Sequence, residues 1–283
     1  AQFFKMQGSG NDFILFDNRK LKLSQDKMGL WAEKLCPRAF AIGADGMIFL
    51  DNPDEKGIDY RWHFFNSDGS RAEMCGNGSR CAARLAYELG MAPKNHVFGT
   101  DAGVVQAEVL EEDQVKVQLT PPQDLQLNLC LTLDEQLVPP PYGCVQNIRE
   151  LNVHFVNTGV PHTVVITKSL QKMDVQKLGR TIRYNAQFSP AGTNVNFIEI
   201  KNKEEIFLRT YERGVESETY ACGTGAAASV LVAYKLGLTN NTVQVTTTGG
   251  EILRIILEED KVFLQGKAVL VYEGQVFLKQ FDL

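Results

Sequence analysis

The sequence has no Cys-x-x-Cys pair and no Cys/His spacing of the zinc-finger kind, although it holds six cysteines: Cys36, Cys75, Cys81, Cys130, Cys144 and Cys222. Structural zinc and a disulfide framework are therefore not expected. The four histidines, His63, His96, His154 and His162, are dispersed and suggest no metal site. His154 sits in an alternating pattern and reads as an ordinary strand residue. No apolar run reaches the ~18 residues of a membrane span. Ala1-Gln2-Phe3-Phe4-Lys5 lacks the charged start and apolar stretch of an export signal. Lys and Arg form no block, and the net charge of −5 comes from carboxylates scattered along the chain, so neither nucleic acid nor a membrane surface is indicated. A cytoplasmic protein with a small-molecule partner is expected.

One unit is present twice. Met74-Cys75-Gly76-Asn77-Gly78 and Ala221-Cys222-Gly223-Thr224-Gly225 lie 147 positions apart, and the same offset aligns Ala86, Tyr87, Leu89 and Gly90 with Ala233, Tyr234, Leu236 and Gly237. Thr100 and Gly103 likewise align with Thr247 and Gly250. Each Cys-Gly turn opens a helical pattern, Asn77 to Leu89 and Gly225 to Leu236, closed by a glycine placed as a C-terminal cap. Both helices are rich in Ala and poor in charge, so most of their circumference should be buried, each wrapped by its own sheet.

Strand patterns dominate elsewhere: 13–16, 46–50, 60–65, 104–110, 115–119, 153–156, 163–167, 195–200, 206–211, 243–247, 252–257 and 262–264. Shorter helical patterns fit 25–34 and 174–180. Two domains are expected, 1–121 with a C-terminal strand at about 270–283, carrying Cys75, and 122–269 carrying Cys222. The linker is placed near Thr120-Pro121-Pro122-Gln123, with an extended loop at Pro139-Pro140-Pro141. A last strand, near Gly274 to Lys279, is expected to return to the first domain.

A cysteine at the start of a helix faces unbonded backbone N–H groups and the positive end of the helix dipole, both of which stabilise a thiolate. A glycine-flanked cysteine is often only a small core residue. Packing, however, does not require cysteine at equivalent positions of both repeats. A reaction that inverts a stereocentre does require a base on each face, and a duplicated unit folded about a pseudo-twofold axis would bring both thiols to one cleft.

The runs Gly8-Ser9-Gly10-Asn11-Asp12-Phe13, Phe65-Asn66-Ser67-Asp68-Gly69-Ser70, Met74 to Arg80, Gly192-Thr193-Asn194-Val195-Asn196-Phe197, Tyr211-Glu212-Arg213-Gly214-Val215-Glu216 and Ala221 to Gly225 together resemble diaminopimelate epimerases, in the family's order and over nearly the full chain. The resemblance implies an α/β fold of the α+β type. Its two pseudo-symmetric domains would each roll a mostly antiparallel sheet around a central helix, with the active site in the interdomain cleft. It implies interconversion of LL- and meso-2,6-diaminopimelate without cofactor or metal, and a possible homodimer. Consistently, there is no P-loop, no dinucleotide fingerprint and no lysine in a Schiff-base context.

The resemblance carries Cys75 and Cys222 over as exchanging base and acid. Glu212 and His162 would assist the cysteines or the substrate's α-ammonium. Gly76, Asn77, Gly223 and Thr224 would grip the α-carboxylate through backbone N–H groups, and Arg213 would clamp the distal carboxylate, with Asn11, Asn66 and Asn194 as polar contacts. Taken singly, Glu212 also reads as an exposed strand-end carboxylate and the three asparagines as turn residues. Two departures stand out. Gly159-Val160-Pro161-His162 has Val where the family commonly has Asn, leaving Asn157 as a substitute contact, and Gly46 stands where some members carry Gln. A proline racemase-like enzyme of the same fold, or a protein whose two cysteines cycle through a disulfide, remain alternatives.

Overall fold

The computed structural model describes residues 1–133 and 150–283. Cys144 and the expected loop at Pro139-Pro140-Pro141 lie outside the described residues. The chain forms two compact units, Ala1–Gln118 with Gln265–Leu283, and Leu119–Leu264.

In the first unit β1 (Gln2–Gly8) pairs antiparallel with β2 (Asn11–Asp17), and the short α1 (Asn18–Leu21) leads to α2 (Gln25–Leu35). β3 (Gly46–Asp51) returns parallel to β2, and β4 (Tyr60–Asn66) runs antiparallel to β3. After β5 (Arg71–Ala72) comes α3 (Gly76–Glu88), then β6 (Asn95–Thr100) parallel to β4, with β7 (Gly103–Val109) and β8 (Gln114–Gln118) closing an antiparallel meander. The continuous apolar run Phe13-Ile14-Leu15-Phe16 follows from coverage on both faces. Ile14 and Phe16 join Met28, Trp31, Met47 and Phe49 in the core under α2, while α3 packs against β1, β2, β3, β7 and β8. Phe16 and Phe49 stack with ring centroids 5.4 Å apart.

The second unit repeats this pairing. β9 (Gln123–Thr132) pairs antiparallel with β10 (Glu150–Asn157), and β10 with β11 (Pro161–Ile166). Beyond α4 (Val175–Arg183), β12 (Asn194–Asn202) lies parallel to β11, and β13 (Glu205–Glu212) is antiparallel to β12. Then follow β14 (Ser217–Thr219), α5 (Gly223–Lys235), β15 (Thr242–Thr246) parallel to β13, and β16 (Ile252–Glu258) antiparallel to β15. α5 packs against β10, β11, β12, β13 and β16, burying Ala226, Ala227, Ala228, Val230 and Val232. The helices α3 and α5 begin and end at the 147-residue offset. Each is closed by a left-handed glycine, Gly90 at φ 63° and Gly237 at φ 73°, with the matching bonds Met91 N–H to Ala86 C=O and Leu238 N–H to Ala233 C=O.

β17 (Lys261–Lys267) leads to β18 (Val269–Gln275), which pairs antiparallel with β1. The last strand thus begins five residues before the expected Gly274 and stops short of Lys279. Beyond it Leu278, Phe281 and Leu283 fold onto the core under α2 instead of continuing the ladder. The strand patterns read from the sequence also left out β1, β5, β6, β9 and β14. In β1 the run Phe3 to Met6 is buried throughout, including Lys5, and does not alternate, whereas β9 does: Leu127, Leu129 and Leu131 are each more buried than Asn128, Cys130 and Thr132. No helix among the described residues is long and apolar enough to cross a membrane.

Candidate active site

Cys75 is the N-cap of α3, and its Sγ accepts the Gly78 N–H at 3.4 Å. The first intrahelical bond is Ser79 N–H to Cys75 C=O, so the N–H groups of Gly76 and Asn77 have no intrahelical acceptor. The thiol donates to Asn11 Oδ1 at 3.7 Å. Asn11 is held in turn: its Nδ2 donates to Asp45 Oδ2 at 2.7 Å, and Asn77 Nδ2 donates to the same Oδ1 at 3.4 Å. The fully buried Arg80 donates to Asn77 Oδ1 and to Ser9 Oγ, which locks the amide of Asn77. Asp12, beside Lys5 and Arg38, is driven down to about 2 against the opposing pull of its burial.

Cys222 caps α5 in the same way, its Sγ accepting the Gly225 N–H at 3.3 Å, and Thr224 Oγ1 lies 3.5 Å from that sulfur. Behind Thr224, His162 is buried on β11 with Nε2 3.0 Å from Thr224 Oγ1, and Nδ1 3.0 Å from Asn196 Nδ2 on β12. Desolvation, aided by the Arg213 cation, pushes His162 down to about 3 despite the Asn196 bond. The imidazole is therefore neutral near pH 7 and works as a fixed hydrogen-bond link rather than a cation. Gly225 is required here because a Cβ would come within 2.3 Å of Asn196 Oδ1.

Glu212 lies at the end of β13, one step past the Val195–Tyr211 pair, and burial raises its carboxyl above the ordinary range. It is half-buried, not the exposed strand-end carboxylate that composition alone would favour. Arg213 follows, its backbone N–H held by Asn194 Oδ1 at 2.8 Å and its Nη1 donating to Ala191 C=O at 3.2 Å. Asn194 is buried, and its Nδ2 donates to Pro161 C=O, so its amide ties the start of β11 to the Arg213 turn. Asn66 is exposed and bonds Ser70 Oγ across its own turn. Asn157 Oδ1 accepts Gly159 N–H at 3.0 Å across its own turn. Gly46 is set by packing, since a Cβ there would lie 2.8 Å from the Phe64 ring.

Within the first unit the structure brings together Cys75, Gly76, Asn77 and Asn11, and within the second Cys222, Gly223, Thr224 and His162. Sequence reading missed Asn196, Asp45 and Arg80. Asn196 stands two residues after Asn194, and two-residue alternation on β12 would have flagged it as sharing that face. Asp45 and Arg80 carry no such periodic signal.

The family model of diaminopimelate epimerase matches residues 3–125 and 154–271. A diaminopimelate epimerase of Hydrogenobaculum sp. (strain Y04AAS1) is 46% identical over 286 residues, covering 98% of this chain and 99% of that protein. One of Aquifex aeolicus (strain VF5) is 47% identical over 285 residues, covering 97% of each. Among solved structures, a phenazine biosynthesis protein of the PhzF family from Bacillus anthracis superposes with TM-score 0.69 at 16% identity, covering 98% of each chain. A probable proline racemase from Agrobacterium radiobacter K84 superposes with TM-score 0.66 at 16% identity, over 99% of this chain and 94% of that one, a likeness of fold. The two cysteine-capped helices thus sit in a sequence that aligns end to end with these relatives, and the chain belongs to the diaminopimelate epimerase family.

Proposed function

We propose that the protein interconverts LL- and meso-2,6-diaminopimelate by inverting one α-carbon, with Cys75 and Cys222 as the two proton carriers. The observation that carries this reading is the matched capping geometry: each sulfur accepts an N–H of the first helical turn, Gly78 in one unit and Gly225 in the other. One thiolate removes the α-proton from one face, and the opposite thiol delivers its own proton to the other face. The product leaves with the thiol and thiolate exchanged, and the reverse reaction uses the pair in the opposite sense.

An α-proton of an amino acid is a far weaker acid than a thiol, so the carbanion's charge must be met as it forms. The N–H groups of Gly76, Asn77, Gly223 and Thr224 serve the α-carboxylate, where that charge accumulates. Glu212, whose carboxyl is raised by burial, gains its charge most readily when the substrate's α-ammonium arrives beside it. Arg213 takes the distal carboxylate through its planar pair of donors. Asn194 acts on recognition by fixing the Arg213 backbone, and Asn66 and Asn11 supply polar contacts.

Chiral chromatography of LL-diaminopimelate incubated with reduced protein tests this directly. Cys75→Ser and Cys222→Ser are each expected to lower kcat by at least ~10³-fold. Full activity in either variant sinks the two-thiol reading, and conversion of proline instead of diaminopimelate sinks the substrate assignment.

A further inference from the structure

The two sulfurs have different hydrogen-bond surroundings, and the difference is set by residues that touch neither sulfur. In the second unit the direction of the bonds from Asn196 to Thr224 can be followed. Asn196 Nδ2 donates to the Thr163 carbonyl at 3.2 Å, and Asn196 Oδ1 accepts from Thr210 Oγ1 at 3.1 Å. A carbonyl oxygen can only accept, so the atom facing Thr163 is the amide nitrogen, and its second hydrogen points at His162 Nδ1. His162 Nδ1 is then an acceptor and the ring proton sits on Nε2. Nε2–H donates to Thr224 Oγ1, which leaves the threonine's own hydrogen for Cys222 Sγ. The Thr224 hydroxyl, accepting from Nε2–H, keeps its own hydrogen to offer the sulfur 3.5 Å away.

In the first unit the order is reversed. Asp45 accepts from Asn11 Nδ2, which turns Asn11 Oδ1 toward Cys75, and the Cys75 thiol donates to that oxygen. An acceptor beside sulfur favours the protonated thiol, and a donor favours the thiolate. The geometry points to Asn196 and Asp45 as positioning residues that divide the resting protonation of the pair, placing the thiolate on Cys222 and the proton on Cys75 before substrate arrives. This deepens the two-thiol reading and rests on it for its catalytic meaning. Lys5, Asp12, Arg38, Asp45 and Arg80 are the charged and titratable groups connected to Asn11 and its partners, and in the second relay the Arg213 cation acts on His162.

The test uses substrate-free protein. Iodoacetamide labelling against pH, read by peptide mass spectrometry, gives the midpoint of Cys222 in Cys75→Ala and of Cys75 in Cys222→Ala. The Cys222 midpoint is expected about one pH unit below that of Cys75. Thr224→Val should raise the Cys222 midpoint by about one unit and Thr224→Ser should restore it. Asp45→Ala should lower the Cys75 midpoint, whereas Asp45→Asn, which keeps an acceptor for Asn11, should hold it. Nitrogen-15 spectra of the unaltered protein should show His162 protonated at Nε2. Equal or inverted midpoints, or a proton on Nδ1, overturn the proposal. Neither measurement depends on turnover: an inactive protein with ordered midpoints would refute the epimerase reading alone, and an active one with inverted midpoints would refute this assignment alone.

Discussion

His162 shows how burial fixes a residue's chemistry. In the unfolded chain it titrates near ~6.5, but in the fold it is held neutral down to about 3 by desolvation and the nearby Arg213. Between those values the unfolded chain binds a proton that the folded chain refuses, so stability falls as pH drops through that window. The loss attributable to this one group reaches about 2 kcal/mol at pH 5. Urea denaturation of the protein and of His162→Gln at pH 7 and pH 5 checks this: the difference in stability between them should narrow by that amount on acidification. Parallel losses in both would show that His162 takes up its proton in the folded state. The sequence motif was enough to single out His162, but not its partners. Asn196 is 34 positions away and Asp45 is 34 positions from Asn11, and such pairings become visible only when strands are set in register.

At the scale of elements, the two capped helices account for most of what could be read in advance. Small residues at helical spacing, a cysteine at one end and a glycine at the other located α3 and α5 within two residues of their ends. Strands covered on one face, such as β7 and β16, alternate and were legible, and the uniformly buried β1 was not; β9 was passed over although Leu125, Leu127, Leu129 and Leu131 alternate with polar residues and Cys130. The helix ends also differ in what they tolerate. Gly90→Ala puts a Cβ into open space at φ 63° and should cost about 1 kcal/mol of stability with kcat retained. Gly225→Ala would drive a Cβ against Asn196 Oδ1 and to 3.2 Å from Cys222 Sγ. Its overpacking cost of about 1–3 kcal/mol should come with a loss of kcat, measured per folded molecule, that Gly90→Ala does not share. Equal kcat in the two variants would mean that the amide of Asn196 is not held where the relay needs it.

Across the whole chain, the duplicated unit supplies the like parts and its divergence the unlike ones. β2 beside β3 and β11 beside β12 are both parallel pairs, and α3 and α5 share one capping scheme at both ends. At the same offset Asn66 stands opposite Arg213 and Phe65 opposite Glu212, so at these two positions the second unit alone carries an acid and a guanidinium. The central claim is that two thiols of unlike resting protonation act on one α-carbon of diaminopimelate. Incubating LL-diaminopimelate with reduced protein in D₂O and sampling before equilibrium tests it most directly. The account predicts meso product carrying deuterium at the inverted centre, while the remaining LL substrate stays unlabelled. Absence of both exchange and inversion, or deuterium entering the LL substrate as fast as product forms, would contradict it.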